Sequence, residues 1–196
     1  EIEQQVKFEF EKTYKQAPIN KGKNLIIFEI AKRYIFNFLA KELKEIENDE
    51  LIIKEVENKL TCDILIPELD FPVKIGGKVD RVDYKNGQLR IVDYKTGKVQ
   101  AGDLNLKDWS ELTQDYKYSK AFQVLCYARM IYAETPFENA EAGIISFKNL
   151  KAGFMPFKQI KNTVIDKDTL NQFETELKSL ILELFNPEIP FEEKEV

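Results

Sequence analysis

The sequence has no histidine in 196 residues and only two cysteines. Without histidine, a Ser-His-Asp triad, an H-E-x-x-H zinc site and a Cys-His nucleophile pair are excluded. Cys62 and Cys126 stand far apart in sequence and outside any C-x-x-C arrangement. A chain of this size needs no disulfide staple, so a reducing cytoplasm is the expected location. No apolar run reaches the roughly 18 residues that cross a bilayer, and no charged-then-apolar leader opens the chain, so no membrane association is expected. Gly76-Gly77-Lys78 lacks the lead and the Ser/Thr of a P-loop. Repeats and low-complexity segments are also missing.

What remains is ordinary for a globular chain: 43% hydrophobic, 12% aromatic and 32% charged residues, enough for a core beneath a solvated surface. One compact domain is the expectation. The formal charge of −5 gives no global pull toward nucleic acid, so any such binding must come from a local basic groove or from bound cations. The chain opens at Glu1 rather than at methionine, which leads to the expectation of a fragment of a longer protein.

Hydrophobic spacing organises the chain. Ile2, Val6 and Phe10 recur at helical spacing within residues 2–16, as do Ile27, Ala31, Tyr34 and Phe38 within 24–43, with Pro18 and Gly22 between. From Leu51 to Thr96 the residues become β-branched and are broken by Pro67, Gly76, Gly77 and Asn86-Gly87, which reads as a strand meander. Tyr118 to Glu134 reads as a helix, Gly143 to Phe147 as a strand with Phe154 to Ile160 as its partner. A last amphipathic helix starts near Asp168 and stops at Pro187. The pattern predicts an α/β (α+β) fold: a central mixed β-sheet with an antiparallel hairpin, flanked by helices. Residues 1–50 are expected to be a helical segment packing on a core formed by 51–196.

The stretch GKVDRVDYKNGQLRIVDYKTGK, residues 77–98, carries three aspartates, Asp80, Asp83 and Asp93, within hydrophobic strands. Asn86-Gly87 is the strongest two-residue hairpin signal, because both central residues of a type I′ turn need positive φ. Closed that way, the hairpin pairs Lys85 with Gln88, Tyr84 with Leu89, Asp83 with Arg90, Val82 with Ile91, Arg81 with Val92 and Asp80 with Asp93. The period of two places Tyr84, Leu89, Val82, Ile91, Asp80 and Asp93 on one face, with Lys95 next. On the other face Asp83 opposite Arg90 is a cross-strand ion pair worth about 0.2–1 kcal/mol. Asp80 opposite Asp93 is different, since like charges roughly 5 Å apart across a ladder destabilise it. A shared proton, Lys95 or a divalent cation would compensate. Two carboxylates beside a lysine suit a hard cation such as Mg²⁺, with the lysine orienting a water or neutralising charge on a phosphate. A salt-bridged strand end with Lys95 as counterion fits the same residues, and both readings stay open on this pattern.

GKVDRVD, IVDYKTGK and QVLCY (residues 123–127), taken together and in order, resemble the PD-(D/E)XK nuclease superfamily. The resemblance is strongest to the RecB-like nuclease domains of AddB-type helicase-nuclease proteins, and it covers about residues 51–190. It implies a restriction-endonuclease-like nuclease core. Asp80 and Asp93 would be metal ligands together with the main-chain carbonyl of Tyr94, and Lys95 would position and activate the hydrolytic water. Gln123 and Tyr127, one helical turn apart, would complete the catalytic set by positioning DNA or the catalytic groups. The implied activity is a Mg²⁺- or Mn²⁺-dependent deoxyribonuclease, an exonuclease domain of a DNA-repair helicase-nuclease, leaving a 5′-phosphate and a 3′-hydroxyl. DNA and a helicase-nuclease partner subunit are the implied partners. The chain departs from that pattern in two ways: it lacks the histidine that such nucleases carry before the strands, and it has no cysteines after NPEIPF (residues 186–191) for an iron-sulfur cluster. An inactive nuclease-fold module that binds DNA or scaffolds a repair complex is the alternative.

Secondary candidates surround this constellation. Lys98, Lys117, Lys120 and Arg129 could form a basic wall or be solvated surface, and Tyr94, Trp109, Tyr116 and Tyr118 could stack on bases or fill the core. Glu57 could assist a metal or serve the structure.

Overall fold

The computed structural model describes residues 2–15 and 18–191. Its contacts divide into two units, Glu1–Asp49 and Glu50–Val196. In the first, helices α1 (Ile2–Thr13) and α2 (Gly22–Ile46) pack through an edge-on contact of Phe10 with Phe28, ring centroids 5.8 Å apart. Lys32 Nζ bridges the two helices, 3.0 Å from Glu3 and 3.1 Å from Glu29.

The second unit is built on a five-stranded mixed sheet in the order β1-β2-β3-β5-β6. Strands β1 (Leu51–Ile64), β2 (Val73–Lys85) and β3 (Gln88–Lys95) form an antiparallel meander. Asn86 (φ 50) and Gly87 (φ 80) turn β2 into β3, so the left-handed turn read from the sequence is present. Asn86 Oδ1 also accepts from the Glu50 amide at 2.9 Å, tying the turn to the start of β1. A short sheet pairs β4 (Asn105–Leu106) with β7 (Lys158–Gln159), and a single helical turn, α3 (Glu111–Gln114), follows β4. Helix α4 (Ser119–Glu134) then crosses over to β5 (Ala140–Ser146), which runs parallel to β3. Strand β6 (Phe154–Pro156) returns antiparallel to β5. The expected partner strand over Phe154 to Ile160 is therefore two strands, the second of which leaves the main sheet.

Helix α5 (Lys167–Phe185) closes the unit. Asp166 caps it, accepting from the Thr169 amide and hydroxyl at 2.8 Å each. Its stripe Leu170, Phe173, Leu177 and Ile181 is buried, and Phe173 meets Phe122 of α4 edge-on at 5.6 Å. Val79, Val82, Leu89 and Ile91 of the sheet join Val124, Leu125 and Ala128 of α4 in one core, so α4 is packed lengthwise on the face of the sheet that also carries Asp93 and Lys95.

Two departures from the expected hairpin matter. The β2–β3 ladder follows the expected register from Lys85–Gln88 to Arg81–Val92 and ends there, so Asp80 and Asp93 are not a paired rung. Strand β1 is irregular at the same level. Val56 pairs with Arg81 and Asn58 with Val79, while Glu57 between them takes φ 58, a left-handed conformation inside a strand. Gly77 and Val79 face α4, and so does Val82; this three-residue step breaks the alternation at Asp80. Second, the expected Asp83–Arg90 pair forms, but inside a larger buried cluster. Asp83 is fully buried and shared by two guanidiniums: Arg90 bidentately (Nε–Oδ1 2.8 Å, Nη2–Oδ2 3.0 Å) and Arg81 through Nε at 2.5 Å.

Candidate active site

The site lies where the parallel pair β3/β5 ends, the position at which open α/β sheets hold ligands. Released from the ladder, the Asp80 carboxylate accepts from the Tyr94 amide at 2.7 Å, replacing the hydrogen bond a regular rung would have made. Arg81 Nη1 donates to the Tyr94 hydroxyl at 3.0 Å. Consecutive residues of β2 thus hold Tyr94 by its main chain and by its side chain, and Tyr94 lies between Asp93 and Lys95. The structure shows the Tyr94 amide engaged by Asp80.

Asp93 is 3% exposed. Burial pushes its carboxyl above the usual range, the hydrogen bond and charge of Lys95 pull it back, and the Asp80 charge adds to the rise. Lys95 Nζ donates to Asp93 Oδ1 at 3.2 Å and to Gln123 Oε1 at 2.8 Å. It also lies 2.9 Å from the buried Asp93 Oδ2, so the ammonium straddles the carboxylate. Gln123 Nε2 in turn donates to the Tyr127 hydroxyl at 2.7 Å. Tyr127 is buried; desolvation raises its phenol, the Gln123 hydrogen bond opposes this, and the charges of Asp93 and Asp80 add to it. Asp93, Lys95, Gln123 and Tyr127 are one continuous hydrogen-bonded chain, with Asp80 beside it.

A buried carboxylate next to a second carboxylate, each oxygen an acceptor with lone pairs to spare, is chemistry that a hard divalent cation satisfies. Asp80 and Asp93 fit that role as donors. Among the described residues no group of three or more His, Cys, Asp or Glu side chains is arranged to hold a metal. Glu57 does not join them; it forms an ion pair with Lys78 and its side chain is 63% exposed.

The outer candidates divide. Lys120 pairs with Asp103 at 3.3 Å, Arg129 with Glu174 at 2.8 Å, and Lys117 Nζ sits 4.9 Å from the Tyr118 ring centroid, so three of the four cations of the basic wall are already engaged. Lys98 is exposed. Tyr118 is buried and donates to Glu111 at 3.0 Å, Trp109 packs near Phe157, and Tyr94 packs near Phe147; Tyr116, 70% exposed, presents its ring to solvent.

Sequence reasoning missed the structural work of Arg81, Asp83 and Gly77. Their signal was their place inside GKVDRVD, where charges and a glycine sit in an otherwise core-forming strand. No helix among the described residues is long and apolar enough to cross a membrane.

No curated protein sequence matches the chain. A profile of the PD-(D/E)XK nuclease superfamily, however, matches residues 3–195. Coming from nearly the whole length, that match shows that the chain belongs to the PD-(D/E)XK nuclease superfamily, whose reaction class is metal-dependent phosphodiester hydrolysis.

Proposed function

We propose that the protein is a Mg²⁺- or Mn²⁺-dependent deoxyribonuclease of the RecB-like, AddB-type kind, acting as the exonuclease domain of a DNA-repair helicase-nuclease. The observation that carries the site assignment is the buried Asp93 carboxylate, paired with Lys95 and beside the charge of Asp80. The subtype rests on the ordered strings GKVDRVD, IVDYKTGK and QVLCY.

Asp80, Asp93 and the Tyr94 carbonyl would hold the cation, which when bound supplies Lewis-acid polarisation of the phosphoryl oxygen. The chain's own residues do the rest. The Lys95 ammonium, held in place by Asp93 and Gln123, would orient a water toward phosphorus. The water oxygen forms the new P–O bond and gives up a proton to solvent as the P–O3′ bond breaks, and the departing 3′-oxygen takes up a proton from solvent, giving a 5′-phosphate and a 3′-hydroxyl. Gln123, held by Tyr127, keeps the ammonium from swinging out of line.

A second reading, an inactive nuclease-fold module that binds DNA or scaffolds a repair complex, is favoured by the lack of a three-residue ligand cluster among the described residues. Calorimetric titration with Mn²⁺ separates the two. The nuclease reading expects saturable binding that Asp93→Ala abolishes, and release of labelled nucleotides from linear but not covalently closed DNA. The module reading expects no Mn²⁺ binding and a DNA affinity that falls steeply with salt.

A further inference from the structure

Lys95 determines the polarity of the chain that runs from it to Tyr127. An ammonium only donates, so the Gln123 amide must turn Oε1 toward Lys95, which leaves Nε2 to donate to Tyr127. The Tyr127 oxygen is therefore the fixed acceptor at the far end, and its position sets the tilt of the Gln123 amide.

The Tyr127 ring rests on β2 at Gly77. A Cβ at residue 77 would lie 3.0 Å from Tyr127 Cε1 and 3.1 Å from the Met130 methyl, both closer than the 3.5–4.0 Å or so of packed carbons. The methionine can swing aside. The ring cannot do so freely, because Cε1 adjoins the carbon bearing the hydroxyl, so pushing one moves the other. Gly76 differs: a Cβ there would meet Thr61 Cγ2 at 3.2 Å and the Leu60 carbonyl at 3.5 Å, with nothing from α4.

We propose that Gly77 is a positioning residue: its missing side chain sets the depth at which Tyr127 seats on the sheet and, through Tyr127 and Gln123, the place of the Lys95 ammonium. This rests on the reading above in its functional consequence, though not in its geometry. Gly77 touches neither substrate nor metal and acts through Tyr127.

The test uses ¹⁵N-labelled, metal-free protein, with the Gln123 side-chain amide signals identified by their loss in Gln123→Glu. Gly77→Ala is expected to move those signals in the same direction as Tyr127→Phe, while Gly76→Ala leaves them in place. In the DNA cleavage assay, Gly77→Ala should lower kcat about tenfold at unchanged KM, the scale of one lost hydrogen bond. Combined with Tyr127→Phe it should lower kcat no further than Tyr127→Phe alone. Gly76→Ala should cleave like the wild type. If Gly77→Ala does not fold, Gly77→Ala/Met130→Ala removes one of the two close contacts and is read the same way. Unmoved Gln123 signals in a folded Gly77 variant, or additive losses of kcat, would overturn the proposal. A wild-type protein that cleaves nothing would sink the nuclease reading and leave the amide result to decide the geometry.

Discussion

Removing the Asp83 carboxylate should unfold the strand core far more than an ion pair read from sequence would imply. Asp83 is fully buried, and the side chains of Arg81 and Arg90 are 4% and 6% exposed. Three hydrogen bonds of 2.5–3.0 Å converge on its two oxygens. Asp83→Ala therefore leaves two desolvated guanidiniums facing each other. Breaking a buried pair by deleting one partner costs about 3–5 kcal/mol, and with two cations stranded the upper end applies, about 5 kcal/mol. For a chain of this length each kcal/mol moves the midpoint by about 2–4 °C, so the expected drop is about 10–20 °C. Asp83→Asn keeps the shape and one acceptor oxygen and should lose about half as much. The assay is thermal unfolding followed by circular dichroism, with urea midpoints as a cross-check. A loss below about 1 kcal/mol for Asp83→Ala, the range of an exposed cross-strand pair, would refute the buried three-residue network.

Two further outcomes follow from particular contacts. At the start of α5, hydrogen bonds from the Thr169 amide and hydroxyl hold the Asp166 carboxyl below the usual carboxylate range. Its contribution is therefore complete above the unfolded value of about 4 and disappears as pH falls through the lower folded value; Asp166→Ala should cost about 1 kcal/mol at pH 7, and the gap to wild type should close at acidic pH. In β5, a Cβ on Gly143 would lie 2.3 Å from the Met155 carbonyl oxygen and 2.8 Å from Pro156 Cα. Since backbone cannot step aside, Gly143→Ala should separate β5 from β6 and cost about 3 kcal/mol or more in urea unfolding.

The hairpin was legible because Asn-Gly announces its own turn, and the turn fixes the register of every rung to Arg81–Val92. The last rung was not: Glu57, level with Asp80 on β1, enters the left-handed region, and nothing about a glutamate in a strand marks that choice. Periodicity correctly sent Asp93 and Lys95 to the face on which α4 lies, and i, i+4 spacing put Gln123 and Tyr127 on one side of that helix; hydrogen bonds now join Lys95, Gln123 and Tyr127. The burial of Arg81, Asp83 and Arg90 escaped notice because charged residues read as solvent-facing until their partners are known. Strands as short as β4 and β7, two residues each, carry no period to read.

The most direct measurement is cleavage of end-labelled single- and double-stranded DNA in Mn²⁺ by the wild-type chain and by Lys95→Ala, each with and without EDTA. The expected result is cleavage that requires the metal and falls by at least about a hundredfold in Lys95→Ala. Cleavage that survives EDTA, or that proceeds at the wild-type rate without the Lys95 ammonium, would contradict the assignment of the site at the end of β3.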